Sequence, residues 1–294
     1  MMVTKINQTK LGGVKMKKSI LFAVVLAFAL ILTACGQSTG KSEKNQTLTV
    51  GASAVPHAEI LKEAAPLLKK KGITLKVKVF QDYVLPNKAL ASKQLDANFF
   101  QHIPFLDLYN KQNNTDLVNA GKIHIEPFGI YSKKFKSVND VKDGATVQIS
   151  NNKSEQGRIL LLLQSKGLLK IKSGIDPIAA TLAQKNGKYT DFDNIKHLKF
   201  LQPIDPAILP KAYVNSAADL YAINTNYALQ AKLQPKKDAL ILEGASSPYA
   251  NIIAVRKGDQ NKKAIKELVN VLHSKTIQDF ITKKYKGAVL PVSE

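Results

Sequence analysis

LTVGASAVPHAEILKEAAPLLKKKGITLKVKVF, residues 48–80, carries the pattern that decides the fold. Leu48 to Ala52 is a short strand, and Pro56 suits the first position of the helix after it. Ile60, Leu61, Ala64, Leu67 and Leu68 recur at helical spacing and give that helix an apolar face, which Gly72 ends. Pro66 lies inside this pattern and predicts a kink or a split. From Ile73 to Phe80 the residues alternate, with Thr74, Lys76 and Lys78 against Leu75, Val77 and Val79, as in a half-exposed strand. Strand, helix, strand within about 35 residues is a βαβ unit, which predicts a parallel pair with helices covering the sheet.

Further along, Asp96-Ala-Asn-Phe-Phe-Gln-His-Ile-Pro104 gathers two aromatics, two amides and a histidine. Read as a strand, it turns Phe100 and His102 one way and Phe99 and Gln101 the other. One face then offers a ring and a polar tip for recognition, or both rings are core and His102 is a satisfied buried imidazole. A short helix precedes this stretch, a second runs from Pro104 to about Gln112, and Ile123 to Tyr131 reads as a strand. A second α/β unit opens with a strand at Ala145 to Ser150 and an apolar helix at Glu155 to Lys166, ended by Gly167. Lys196 to Leu201, Asp219 to Ile223 and Asn251 to Val255 add strands, Tyr227 to Lys232 a helix, and two amphipathic helices finish the chain.

Two α/β units imply a cleft, and in open α/β sheets ligands sit beyond the carboxyl ends of strands. Tyr83, Asn151 and Asn224 all follow such ends. Arg158 is one of only two arginines in a chain that otherwise uses lysine, and it stands amid Ile159, Leu160, Leu161 and Leu162. A guanidinium clamps a planar anion through two parallel hydrogen bonds. Arg158 therefore fits either a carboxylate clamp or a structural ion pair. Asn151, Asn224 and Asn251 each offer a donor and an acceptor, as a zwitterion needs, or serve as turn formers after strands. No catalytic residue is assigned. The five histidines are dispersed, and neither a nucleophile elbow nor a phosphate loop appears, so no metal or cofactor is called for.

The chain is 294 residues long, room for one large or two medium domains. Met16-Lys17-Lys18, an uncharged run from Ile20 to Leu32 and Thr33-Ala34-Cys35 form a secretory signal pattern, with the run too short to span a bilayer. Residues 1–34 are expected to be a signal peptide with translation starting at Met16. Leu32-Thr33-Ala34-Cys35 resembles the bacterial lipobox, which makes Cys35, the single cysteine, a lipid anchor. That cysteine excludes an intrachain disulfide and thiolate catalysis in the mature domain. The polar segment 35–46 reads as a flexible tether. Net charge is +21, and residues 1–34 hold five lysines and no acids, so the remainder carries +16. Scattered single lysines and no nucleic-acid motif point to a solvated surface facing an anionic membrane and cell wall, not to nucleic acid.

Six spaced motifs, Asp82-Tyr83-Val84-Leu85-Pro86-Asn87, Asp96 to His102, Tyr131-Ser132-Lys133-Lys134, Gly157-Arg158, Ile223 to Ala228 and Ser247-Pro248-Tyr249-Ala250-Asn251, together with the lipobox, resemble the NlpA family of lipoproteins, the substrate-binding components of methionine ABC importers. The resemblance implies an α/β, two-lobed periplasmic-binding-protein fold of the type II kind with the ligand cleft between lobes. Lobe 1 is expected at 47–125 plus 245–294, and lobe 2 at 126–244. It also implies a monomer, lipid-anchored on the extracellular face of the cell membrane, that closes on methionine and delivers it to an ABC permease with its ATPase. Carried over, Tyr83, Phe100 and His102 line the side-chain pocket and its mouth, Arg158 holds the carboxylate, and Asn151, Asn224 and Asn251 share the head-group contacts. Gln202 to Lys211 and Tyr221 depart from the family's pattern in the second lobe. A reshaped wall there leaves D-methionine, a methionine-containing dipeptide or another small amino acid open as ligands. A lysine-rich surface-adhesion lipoprotein is the alternative from a different class.

Overall fold

The computed structural model describes residues 46–245 and 247–292. The expected signal peptide, Cys35 and nearly all of the tether lie outside the described residues. Gln46, the last tether residue in that reading, already opens the first strand, Gln46–Ser53. Among the described residues no helix is long and apolar enough to cross a membrane.

The βαβ unit forms as its pattern dictates. Gln46–Ser53 pairs in parallel with Ile73–Phe80, residue for residue from Gln46 against Ile73 to Ser53 against Phe80. The helix between them, Glu59–Lys69, buries Ile60, Leu61, Ala64 and Leu68. It runs unbroken through Pro66, contrary to the expected kink. The proline ring is exposed, so the carbonyl four residues earlier, which loses its amide partner, is open to solvent instead of stranded in the core. Ala97–His102 lies on the other side of Gln46–Ser53, also parallel, with Val50 opposite Ala97. All six of its residues are buried.

Antiparallel strands complete this first sheet. Its six strands run in the order Leu290–Pro291, Leu117–Ile125, Ala250–Arg256, Ala97–His102, Gln46–Ser53 and Ile73–Phe80. One face is covered by Glu59–Lys69 and the two C-terminal helices, Lys263–Leu272 and Lys275–Tyr285, whose Leu268, Ile277 and Ile281 join Val50, Phe99 and Ile253 in one core. Leu90, Leu95 and Leu106 close the opposite face against Ile252 and Ala254.

A second sheet of five strands has the order Lys199–Phe200, Thr146–Gln148, Leu220–Ile223, Gly129–Tyr131 and Ala239–Leu242. It has its own core, in which Leu160 and Leu163 of the helix Gln156–Gln164 pack with Val147, Ile149 and Leu220. Ile123 to Tyr131 is therefore not one strand. It divides at Pro127 into the end of Leu117–Ile125 in the first sheet and Gly129–Tyr131 in the second, because a proline interrupts the ladder. The chain crosses between the sheets there and returns through residues 243–249. The crossings are bonded to each other: the Glu243 N–H donates to the Phe128 carbonyl at 2.9 Å and the Phe128 N–H to the Glu243 carboxylate at 3.1 Å.

Behind the fully buried strand, Asn87, Asn98 and Gln101 satisfy one another through four amide hydrogen bonds of 2.7–2.9 Å. Such a network is favourable only when complete. Asn98→Ala leaves the Asn87 and Gln101 amides short of partners and is expected to lower stability by about 1–3 kcal/mol, read as a lower urea midpoint with an unchanged slope.

Candidate ligand-binding site

Parallel strands of both sheets end around one enclosed cavity. Ala97–His102 delivers Phe100, Gln101 and His102, while the segment after Thr146–Gln148 supplies Asn152 and Glu155. Asn224, Thr225 and Asn226 follow Leu220–Ile223. Glu126 and Phe128 come from one crossing, and Asn251 from the strand that begins after the other. The free space inside it is small, and polar and aromatic side chains from both sheets line it.

One end of the cavity is aromatic. Tyr83 lies 5.8 Å from Phe100, 5.9 Å from Phe105 and 5.1 Å from Tyr227, ring centre to ring centre. Its hydroxyl donates to Asn226 Oδ1 across the cleft at 2.6 Å, and the Tyr227 hydroxyl donates to the Gln81 carbonyl at 3.0 Å. Burial beside Tyr227 pushes the Tyr83 hydroxyl well above its usual pKa, so it remains a donor. His102 closes this wall. Its Nδ1 accepts from the Phe105 N–H at 3.2 Å, which places the ring proton on Nε2, and burial lowers its pKa so that the ring is neutral at pH 7.

The other end is charged. Arg158 sits on the first turn of Gln156–Gln164, buried to 5 % exposure. Its Nε and Nη2 meet the two Glu243 oxygens at 3.1 and 2.5 Å, and Nη2 also donates to the Glu126 carbonyl at 2.8 Å. Nη1 takes part in none of these bonds. The guanidinium lies 4.5 Å from the Tyr249 ring centre and 5.2 Å from that of Phe128, so cation–π attraction helps hold it. The preceding Gly157 is required by close approach, since a Cβ there would collide with the backbone carbonyl oxygens of Pro177 and Ile178.

Three carboxylates face this single guanidinium. Besides Glu243, Glu155 accepts from Ser150 Oγ at 3.1 Å and from Asn224 Nδ2. Glu126 Oε1 lies 2.8 Å from His124 Nε2 and 3.2 Å from His57 Nε2. Burial raises the Glu126 pKa, while His57 and Arg158 pull it back. Two lining amide atoms are buried without partners, Asn224 Oδ1 and Asn226 Nδ2. A buried polar atom left unpaired costs about 1–3 kcal/mol. One acceptor and one donor thus await a molecule that brings both functions.

Of the residues singled out from sequence, Tyr83, Phe100, His102, Arg158, Asn224 and Asn251 converge on the cavity. Asn151 does not. It is exposed and lines an outer groove with Val84, Leu108, Lys153 and Pro206, while the next residue, Asn152, turns inward. Tyr221, expected to reshape the ligand wall, is instead fully buried among Tyr131, Ile223 and Tyr227 on the far side of the second sheet. Sequence reasoning misses Glu126, Glu155, Glu243 and Asn226 as lining or charge partners. For Glu126 and Glu243 the available signal was a carboxylate in or at the end of an apolar run of a chain with 22 acids to 43 bases, whereas Glu155, between Ser154 and Gln156, carries no such signal. Nor are the histidines dispersed in space: His57, His124 and Glu126 bring three potential ligand atoms within 4.8 Å of one another.

A closed cavity between two α/β lobes, with opposite charges at one end and rings at the other, defines a two-lobed solute-binding protein. The comparisons with known proteins agree. The model of the NlpA lipoprotein family matches residues 48–293, and the chain belongs to that family. It is 52 % identical over 284 residues, 95 % of this chain and all of the relative, to the methionine-binding lipoprotein MetQ of Bacillus subtilis. A solved lipoprotein structure from Bacillus subtilis superposes with a TM-score of 0.81 at 54 % identity, covering 85 % of this chain and 99 % of the other. A nutrient-binding protein of Burkholderia cenocepacia solved with methionine bound gives 0.75 at 42 % identity, covering 84 % and 100 %.

The Arg158–Glu243 pair supports the crossings whether or not a ligand is present. Glu243→Ala leaves a buried guanidinium without its carboxylate and is expected to cost the ligand-free protein about 3–5 kcal/mol, measured by urea unfolding. Glu243→Gln is expected to cost less, because it retains an acceptor.

Proposed function

We propose that this chain is the lipid-anchored receptor of an amino-acid importer, capturing free methionine outside the cell membrane and handing it to an ABC permease and its ATPase. The relatives named for methionine binding support this reading. The observation that carries it is the division of one cavity into a zwitterion-matching end and an aromatic end. Arg158 and the unpartnered Asn226 Nδ2 take the carboxylate; Glu126, Glu155 and the unpartnered Asn224 Oδ1 take the ammonium. Tyr83, Phe100, Phe105 and His102 enclose the thioether. The lobes divide at about residues 126 and 245, so the second lobe supplies these head-group residues and the first lobe the rings around the side chain. No step of bond making or breaking is assigned to any of these groups.

Magnitudes favour the head group. Burying a methionine side chain contributes about 1.5–3 kcal/mol, whereas each hydrogen bond to a charged group contributes about as much alone, and several are available. Affinity then comes mainly from the α-amino acid head, and the rings select the side chain. A second reading has one observation in its favour. The outer groove shares Tyr83, Phe105 and Asn152 with the cavity, which leaves room for a further residue of a methionine-containing dipeptide.

Calorimetry on protein unfolded and refolded to remove carried ligand decides between them. L-methionine is expected to bind one to one, more tightly than D-methionine, glycyl-methionine or other amino acids. Heat from the dipeptide alone would move the site outward, and silence from every ligand would remove the receptor reading. Arg158→Ala is expected to weaken L-methionine by at least about tenfold, equivalent to ~1.4 kcal/mol.

A further inference from the structure

His57 and His124 lie beneath the cavity without lining it, 67 positions apart in sequence, and their ring centres are 5.0 Å apart. His57 follows the first strand of the first sheet, and His124 ends the strand that leads into the crossing. Phe99 meets both rings edge-on, at 4.7 and 5.1 Å. Each ring has one buried nitrogen without a partner, Nδ1 in both cases. The opposite nitrogens face acceptors. His124 Nε2 is 2.8 Å from Glu126 Oε1, and His57 Nε2 lies between Glu126 Oε1 at 3.2 Å and Asn251 Oδ1 at 3.1 Å.

This pattern fixes the tautomers. A proton on Nδ1 would be buried and unsatisfied, and would leave an Nε2 lone pair against a carboxylate. A proton on Nε2 satisfies both acceptors and leaves only a lone pair among the rings. Burial lowers the pKa of His57 to about 4 and of His124 to about 3, so both rings are neutral at pH 7. Two neutral donors support the Glu126 carboxylate without cancelling its charge. His57 also occupies Asn251 Oδ1, which leaves the Asn251 NH2 group as the end available to a ligand.

We propose that His57 and His124 are positioning residues for the ligand head group: their Nε2–H groups hold the Glu126 carboxylate as the counter-charge for the ligand's ammonium, and His57 turns Asn251 to donate to its carboxylate. Neither ring touches the ligand. The proposal rests on the methionine reading above and explains how the site tells the two ends of the amino acid apart. The charged or titratable groups around Glu126 are His57, His124, His102 and Arg158, with the hydroxyls of Tyr83 and Tyr285 also within its field. Without a ring donor, the buried Glu126 carboxyl is expected to rise further in pKa. Its ammonium affinity is then lost as pH falls through that value and regained as pH rises.

The test compares L-methionine with 4-(methylthio)butanoate, the same molecule without its amino group, on wild type, His124→Phe and His124→Gln. Phenylalanine keeps the ring packing and removes the donor, while a glutamine amide restores an N–H at similar reach. His124→Phe is expected to weaken L-methionine by at least about tenfold near pH 7, leave 4-(methylthio)butanoate unchanged, and recover toward pH 9. His124→Gln should stay within about threefold of wild type. Equal weakening of both ligands, or of neither, overturns the proposal. Nitrogen-15 NMR of the ligand-free protein tests the hydrogen bonds without any ligand. Neutral Nε2–H rings from pH 7 to 5 support the arrangement, and an Nδ1–H or protonated ring at either position overturns it. Stoichiometric zinc uptake abolished by His124→Phe would also overturn it, making the cluster a metal site. Failure of wild type to bind L-methionine would sink the methionine reading, while the NMR measurement would still decide the hydrogen-bond arrangement.

Discussion

A guanidinium buried between two aromatic rings must be neutralised where it stands, and Arg158 meets that constraint at the one place where the two sheets are joined. Its partners are the carboxylate of Glu243 in one crossing and the carbonyl of Glu126 in the other. Breaking such a pair costs far more than forming it contributes, because desolvation has already been incurred. The crossings are therefore held at the charged end of the cavity. Glu243 already satisfies Arg158, so in the proposed function the ligand carboxylate joins or shares an existing pair.

The unpaired atoms in the cavity then acquire meaning. Asn224 has its NH2 group engaged by Glu155, and Asn226 has its oxygen engaged by Tyr83, so each presents one defined end. An asparagine alone is ambivalent. Bonds between lining residues set the polarity of the cavity, so the end that each asparagine presents is decided by its neighbour. A similar device supports the wall, where Asn87, Asn98 and Gln101 tie down the strand that carries Phe100 and His102.

Periodicity made much of this legible. The βαβ unit followed from alternation and a helical stripe, and Phe100 and His102 both reach the cavity. An irregularity opposite Ile252 and Ile253 nevertheless breaks the expected alternation and puts Gln101 with Asn87 and Asn98 on the face away from Phe99. Six candidate residues met at one cavity: Tyr83 and Asn224 follow strands, Phe100 and His102 lie at the end of one, Asn251 lies at the start of another and Arg158 sits on the first turn of a helix. The parts that were not legible depended on contacts distant in sequence. His57 and His124 are unremarkable singly, and Glu126 looked like part of a continuous strand until Pro127 divided it. Asn151 and Asn152 differ only in which way the turn after Ser150 points them. A helix through Pro66 depended on the proline facing solvent, which a linear pattern does not specify.

The two hydroxyl bonds across the cleft, Tyr83 to Asn226 and Tyr227 to Gln81, bear on time as well as affinity. Tyr83 and Asn226 are themselves cavity residues, so the latch and the recognition surface are one structure. Each such bond contributes about 0.5–1.5 kcal/mol, and breaking both before the lobes part slows escape of a captive molecule by roughly 5- to 150-fold. Dwell time in such a shell is thus set partly by bonds between the two sides of the cleft and not by the solute's contacts alone.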